Sequence, residues 1–385
     1  MIYLDYNATT PVDPVVLERM LPYFSEQFGN ASSAAHAYGW AASEAVKQAR
    51  DILAGHIGAE ERELIFTSGA TESINLALKG VAEAYRSKGT HIITCQTEHK
   101  AVLDTCKALE FDGFTVTYLP VDAHGQVDVQ AFSDAITDQT ILAAFMWANN
   151  ETGVVHPVAD LYAVARERGV LLLTDATQAL GKLPVSAEHA DLLAVSGHKV
   201  YGPKGIGALY VSRRNPRVRL VPHLDGGGQE RGLRGGTLNV PGIVGLGAAV
   251  DLAAGQIGTE AARLATLRDR LEAGLQERLD DVTVNGASAH RLPNTANLQF
   301  AGIRADTFMA AARGLAVSAG SACSSATGKP SHVLKAMGLT DAEAFASIRF
   351  SLGRDTTPAD IEAAIDEITA VVGTIRADTA HVVAS

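Results

Sequence analysis

Asp175 and Lys199 stand twenty-four positions apart, and each follows an apolar run. Val170-Leu171-Leu172-Leu173-Thr174 precedes the first, and Leu192-Leu193-Ala194-Val195 leads into Ser196-Gly197-His198-Lys199. Short aliphatic runs of this kind read as strands, and in open parallel sheets ligands gather outside the carboxyl ends of the strands. A carboxylate and a lysine at two such ends suit pyridoxal phosphate. The amine forms a Schiff base, and the carboxylate keeps the pyridine nitrogen protonated so that the ring accepts electrons. Taken singly, Asp175 reads as a turn or helix cap and Lys199 as a solvated lysine. Together, with glycine beside them, they favour the cofactor.

Such a cofactor needs a phosphate cradle. Ser68-Gly69-Ala70-Thr71-Glu72 follows another strand pattern and opens a helix, where free backbone N–H groups and the helix dipole favour an anion and Thr71 adds a hydroxyl. Alone, the motif is equally an ordinary glycine-containing turn. Ser196 and His198 can add donors, and His99, again past a strand end, can lie over the ring and move protons. Cys323 sits in the small, polar stretch Val317-Ser318-Ala319-Gly320-Ser321-Ala322-Cys323-Ser324-Ser325-Ala326, the setting of an exposed loop and a nucleophile. Cys95 and Cys106 fall in a strand and a helix pattern and read as packed thiols. Arg349, in Ser347-Ile348-Arg349-Phe350, is an arginine in an apolar strand and needs an anion. A substrate carboxylate and an ion pair with a nearby acid are equally good candidates.

The elements that must position these groups follow from periodicity. Strands are expected at 64–67, 91–94, 115–119, 141–147, 170–174, 192–195 and 206–211, with helices at 43–54, 71–85, 101–110 and 158–168 between them. Alternation of this kind means an α/β fold with a mostly parallel central sheet, its continuously apolar strands covered on both faces. After the glycine-rich segment 226–236 the pattern changes to one long helix, 243–279, then a strand near 297–300, a helix near 306–313, a strand at 347–352 and a last helix capped at Thr357. The expected division is a large cofactor-binding domain, 13–255, and a smaller α+β domain made of 1–12 and 256–385, which carries the Cys323 loop.

Composition limits the function. The chain has 385 residues, with 32 Lys+Arg against 43 Asp+Glu and a net charge of −11, which argues against direct nucleic-acid or anionic-membrane binding. Three cysteines exclude a disulfide scaffold, and no pair has zinc-type spacing. No run reaches about 18 uninterrupted apolar residues, so no membrane span is expected. The start, MIYLDYNATTPVDP, lacks the basic and apolar segments of a secretory signal, so the cytoplasm is the expected location.

Together these segments closely resemble the cysteine desulfurases, pyridoxal-phosphate enzymes of the class V aminotransferase group with fold type I. The resemblance runs in order through 3–11, 68–72, 97–105 (TEHKAVLDT), 149–151, 175–178, 196–210 (SGHKVYGPKGIGALY), 226–237, 320–325 and 347–354 (SIRFSLGR). It implies that Lys199 holds the cofactor and abstracts the substrate α-proton, that His99 stacks on the ring, and that Asp175 pairs with the ring nitrogen. Gln178 and Asn150 would contact the ring oxygen or substrate. Ala70, Thr71, Ser196 and His198 would hold the phosphate, with Thr237 reaching it from a partner subunit of a homodimer. Arg349 would grip the carboxylate of L-cysteine, and Cys323 would take its sulfur as a persulfide, leaving L-alanine. No resident metal is implied; at most Cys323 is a transient iron–sulfur ligand. A protein acceptor, an iron–sulfur scaffold or another sulfur carrier, would receive the sulfur. The tail 378–385 does not resemble a scaffold-docking tail, so iron–sulfur assembly, tRNA thiolation and DNA phosphorothioation all stay open. Selenocysteine lyase or another class V enzyme is the alternative, and a non-catalytic scaffold is disfavoured by the intact set Lys199, Asp175, His99 and Cys323.

Overall fold

The structure, a computed structural model, describes residues 1–214, 217–320 and 329–384. Its strands are β1 Ile2–Tyr3, β2 Leu64–Thr67, β3 His91–Cys95, β4 Thr115–Leu119, β5 Thr140–Met146, β6 Leu171–Asp175, β7 Leu192–Ser196, β8 Gly207–Val211, β9 Val282–Val284, β10 Thr295–Phe300, β11 Leu315–Ala316 and β12 Ser347–Ser351. All seven strands expected in the first two thirds form, and they make one sheet in the order β2-β8-β7-β6-β5-β3-β4. Only β8 runs against its neighbours, so β2, β3, β5, β6 and β7 deliver their carboxyl ends to the same edge.

Strand alternation sorts the sheet into two cores. Phe145, Leu172, Leu193 and Val195 face a layer built on the helices Ala37–Ile57, Val158–Glu167 and Val240–Ala254. Their neighbours Ala144, Leu173, Leu192 and Ala194 face the helices Ala70–Tyr85 and Lys100–Phe111. Both faces are covered, which is why these strands read as unbroken apolar runs rather than as an alternating pattern.

The long helix expected at 243–279 is two helices. Val240–Ala254 and Ile257–Arg278 meet at a bend of 75°. Gln256 leaves helical geometry, with φ −124° and ψ −8°. The two halves also have different tasks. The first is rich in small and apolar residues, with Asp251 on its outer side, and is buried against Ala37–Ile57, where Gly247 lies against the backbone of Ala49. The second buries one stripe, Leu264, Leu267, Leu271 and Leu275, in another core. That core is shared with Ile361, Ile365 and Ile368 of the helix Pro358–Ala384 and with the antiparallel sheet β12-β10-β9. Among the described residues no single helix is long and apolar enough to cross a membrane.

The first ten residues tie the smaller sheet to the large one. β1 pairs in parallel with β11, Leu4 is buried in the core of the smaller sheet, and Asp5 bridges to Ser351. Thr10 then donates from both its backbone and its hydroxyl to the carbonyl of His198, beyond β7.

Candidate active site

A cavity of about 530 Å³ opens at the carboxyl edge of the large sheet. Each wall comes from a strand end or from the segment after it: Ser68 to Glu72 after β2, His99 after β3, Asn150 after β5, Asp175 and Gln178 from β6, and Ser196 to Lys199 from β7. Asn7, Ala8 and Thr9 close it from the N-terminal segment, and Arg349 of β12 closes it from the smaller sheet. The Lys199 ammonium donates to the carbonyls of Asn7 and Ala8, both at 2.6 Å.

The His99 imidazole is held neutral. His99 caps the helix Lys100–Phe111, its Nδ1 accepting from the Ala101 N–H at 3.1 Å, so the ring proton resides on Nε2. Burial lowers its pKa, Lys199 and His332 push the same way, and Asp175 opposes them. Next to it, Glu98 is fully buried; its Oε1 accepts from the Met146 N–H at 2.6 Å and its Oε2 has no partner. Burial pushes this carboxyl up to about 8, so at neutral pH it is mostly protonated and adds little charge. Asp175 keeps part of its modest alternative role, since Oδ1 accepts from the Thr177 N–H at 2.9 Å while the side chain lines the cavity.

The helix Ala70–Tyr85 begins at Gly69 without any side-chain cap, so its first N–H groups face the cavity mouth uncommitted to a side chain. Ser196, His198 and Lys204 line the same region. Burial, followed by the charges of Lys199, Lys204 and Lys182, lowers His198 to about 4, leaving a neutral ring that shares a hydrogen bond with Thr9 Oγ1 at 3.1 Å. The turn presses on β8: a Cβ on Gly207 would come within 2.4 Å of the Val195 carbonyl oxygen and 2.6 Å of Gly69 Cα. Gly207→Ala is therefore expected to cost about 1–3 kcal/mol and to loosen the cradle. Thermal unfolding together with inorganic phosphate titration checks this; an unchanged Tm and unchanged phosphate affinity would refute it.

Arg349 is buried and meets the acid that spacing alone left unnamed. Its Nη2 donates to Asp5 Oδ1 at 2.6 Å and its Nη1 to the Asn150 carbonyl at 2.9 Å, while Nε has no partner. The ion-pair alternative is thus present in the structure, on a side chain that also faces the cavity.

The aminotransferase class-V model matches residues 2–364. The chain belongs to the aminotransferase class-V family. Within that family it is 54% identical over 366 residues to a protein named cysteine desulfurase IscS from Anaeromyxobacter dehalogenans, covering 94% of this chain and 90% of that one. Among solved structures it is similar to a NifS-like protein, with a TM-score of 0.90 at 37% identity over 97% of this chain and 99% of the other. It is also similar to a structure described as SspA in complex with cysteine, with a TM-score of 0.81 at 42% identity over 91% of this chain and 99% of that one.

Of the residues singled out in this class-V chain, Ala70, Thr71, His99, Asn150, Asp175, Gln178, Ser196, His198, Lys199 and Arg349 line one cavity. Thr237 does not; it is exposed in the loop before the helix Val240–Ala254. Cys323 lies outside the described residues. Cys95 and Cys106 are buried, and burial raises both thiols, Cys106 to about 12, as packed thiols require. Asp5, Asn7, Thr9 and Lys204 carry site contacts that residue types did not reveal. The signal was present in the polar run Asp5-Tyr6-Asn7-Ala8-Thr9-Thr10, too rich in hydrogen-bonding groups for a frayed terminus.

Proposed function

We propose that the protein is a pyridoxal-phosphate-dependent cysteine desulfurase. The observation that carries this reading is the convergence of Lys199, Asp175, neutral His99 and an uncapped helix start on one cavity. The donor set fits the cofactor. The N–H groups at Ala70 and Thr71, with Ser196 and His198, would hold its phosphate, Asp175 its ring nitrogen, and Gln178 and Asn150 its ring oxygen or the substrate. Thr237 of a partner subunit would complete the phosphate site. Held through Lys199, the cofactor supplies an electron sink that weakens the C–S bond of L-cysteine.

The chain's own residues do the rest. Arg349, which lines the cavity, orients the substrate carboxylate, while Asp5 and the Asn150 carbonyl hold its guanidinium in place. Lys199 moves the α-proton and His99, with its proton on Nε2, assists. The Cys323 thiol takes the sulfur: one C–S bond breaks, one S–S bond forms, and the carbon receives a proton. The products are L-alanine and a Cys323 persulfide, with no outside oxidant. The persulfide passes to a protein acceptor, an iron–sulfur scaffold or another sulfur carrier, in a reducing cytoplasm. Selenocysteine lyase chemistry is not favoured.

A homodimer is supported by exposed apolar side chains between residues 21 and 40. Leu21, Phe24, Phe28, Tyr38 and Trp40 are all exposed, and the Phe28 and Tyr38 rings lie 5.2 Å apart. The two-domain division at 13–255 against 1–12 with 256–385 is supported by the separate cores and the 75° bend after Ala254.

Cys323→Ala should keep a visible absorbance band near ~400 nm and still bind L-cysteine, yet transfer no sulfur. Labelled-cysteine incubation followed by persulfide alkylation reads this out. Full persulfide labelling of the variant would remove Cys323 from the scheme, whereas wild-type protein with no band after loading would sink the cofactor itself.

A further inference from the structure

Lys182 stands four residues beyond Gln178. Its ammonium donates to the backbone carbonyl of Gln178 at 3.1 Å and to the Gln178 side-chain oxygen at 3.2 Å. With Oε1 taken by a cation, the amide has one satisfactory orientation, Nε2 outward, and Nε2 donates to the Asn7 carbonyl at 3.0 Å. A flipped amide would turn its NH₂ onto an ammonium and its oxygen onto a carbonyl oxygen, both repulsive. The Asn7 carbonyl is also the acceptor of Lys199. One side-chain amide and one carbonyl therefore join the two lysines.

Among the described residues Lys182 has no counter-charge in contact. It shares a small cavity with Lys199, Glu260, Arg354, Tyr6 and Tyr201. The acid of that cavity, Glu260, is engaged by Arg354 at 3.1 Å, and Arg354 also reaches Asp13 at 2.7 Å. No carboxylate among the described residues forms an ion pair with Lys182. Burial lowers its pKa to about 7, Lys199 pushes the same way, and Glu260 pulls back. On the other side His198 stays neutral and adds no charge.

We propose that Lys182 is a positioning residue for the lysine centre: it locks the Gln178 amide with Nε2 toward Asn7, and its positive charge disfavours a proton on the Lys199 nitrogen. The proposal deepens the reading of Lys199 as the residue that holds the cofactor, since an amine must lose its proton to attack a carbonyl. It does not depend on what the substrate is. A merely structural tie across the turn after β6 would cost stability but would not couple the titrations of two lysines.

The sign follows from like charges. Removing the Lys182 charge makes a proton on the Lys199 nitrogen easier to hold, so that midpoint moves up; removing Lys199 moves the Lys182 midpoint up in return. The first experiment uses the full chain without cofactor, labelled with ¹³C at the lysine ε-carbons and titrated by NMR as wild type and as Lys199→Ala. Lys182 should titrate below the ordinary lysine value of ~10.4 and rise by about one unit in the variant. A Lys182 curve identical in the two proteins overturns the proposal. The second uses loaded enzyme and follows the pH midpoint of its visible absorbance. That midpoint should rise by ~0.5–1 unit in Lys182→Met and in Lys182→Gln, which still hydrogen-bonds Gln178, and return to within ~0.2 unit in Lys182→Arg. A midpoint unmoved in both neutral variants also overturns it. Protein that never loads cofactor would refute the proposed function instead, and the NMR titration would still decide the role of Lys182.

Discussion

Lys199→Ala is expected to lower L-alanine formation from L-cysteine by at least about a thousandfold, because proton transfer by a positioned group alone is worth ~10²–10⁴. On the proposed role of Lys199 the same substitution would also remove the covalent hold on the cofactor, and the two losses would compound. The fold should survive. The side chain packs at the cavity wall rather than in a core, and the Asn7 and Ala8 carbonyls lose donors worth ~1–3 kcal/mol. Two other cations stand close enough to confuse the assignment: Lys204 lines the same cavity and Lys182 the adjacent one. Alanine quantified by mass spectrometry in Lys199→Ala and Lys204→Ala separates them. Activity within tenfold of wild type in Lys199→Ala would mean that the chemistry uses another lysine.

Arg50→Met is expected to be the most damaging substitution far from the cavity, at about 3–5 kcal/mol, because it strands a buried carboxylate. Arg50 and Glu230 form a two-pronged pair, with Nη2 to Oε1 at 2.6 Å and Nη1 to Oε2 at 3.1 Å, and both side chains are nearly inaccessible. Glu230 Oε2 also accepts the N–H of Phe66 in β2 at 2.8 Å, and Arg50 donates to the Leu64 carbonyl at 2.7 Å. The pair thus holds the glycine-rich segment against the edge of the sheet. That segment carries two non-glycine residues at positive φ, Glu230 at 47° and Arg231 at 59°, a conformation that needs outside support. Denaturant unfolding measures the loss. Adding Glu230→Gln to Arg50→Met should recover part of it, since the stranded charge is gone; a single variant within ~1 kcal/mol of wild type would show that the pair contributes little.

Much of this arrangement was legible in the sequence because local rules and tertiary demands agreed. Val170 to Thr174 could be read as a doubly covered strand, and Asp175 inherited its place at the carboxyl edge from that reading. Where the answer depended on partners far along the chain, local reading failed. The ion pair of Arg349 is with Asp5, 344 positions away, and no spacing rule connects them. The bend after Ala254 was hidden because apolar periodicity runs through it; two cores claim the two halves, and periodicity does not report which core a stripe faces. Nothing local in the sequence marks Lys182, because its value lies in a neighbour's amide. Of Cys323 the reading remains chemical, from its loop composition, since it lies outside the described residues.

The N-terminal strap has a consequence for how the molecule is made. Residues 2–10 leave the ribosome well before the groups they bind, which are Ala316, Arg349 and Ser351 on one side and His198 and Lys199 on the other. Contacts of such long sequence separation form late, because the loop they close must be ordered first. The central sheet can assemble during synthesis, while the strap waits for β12. Until it docks, Lys199 lacks the two carbonyls that aim it and Arg349 lacks its acid. On the proposed roles of Lys199 and Arg349, catalytic competence would therefore be deferred until β12 has been made, and a chain stalled before it would carry the lysine without the carbonyls that hold it.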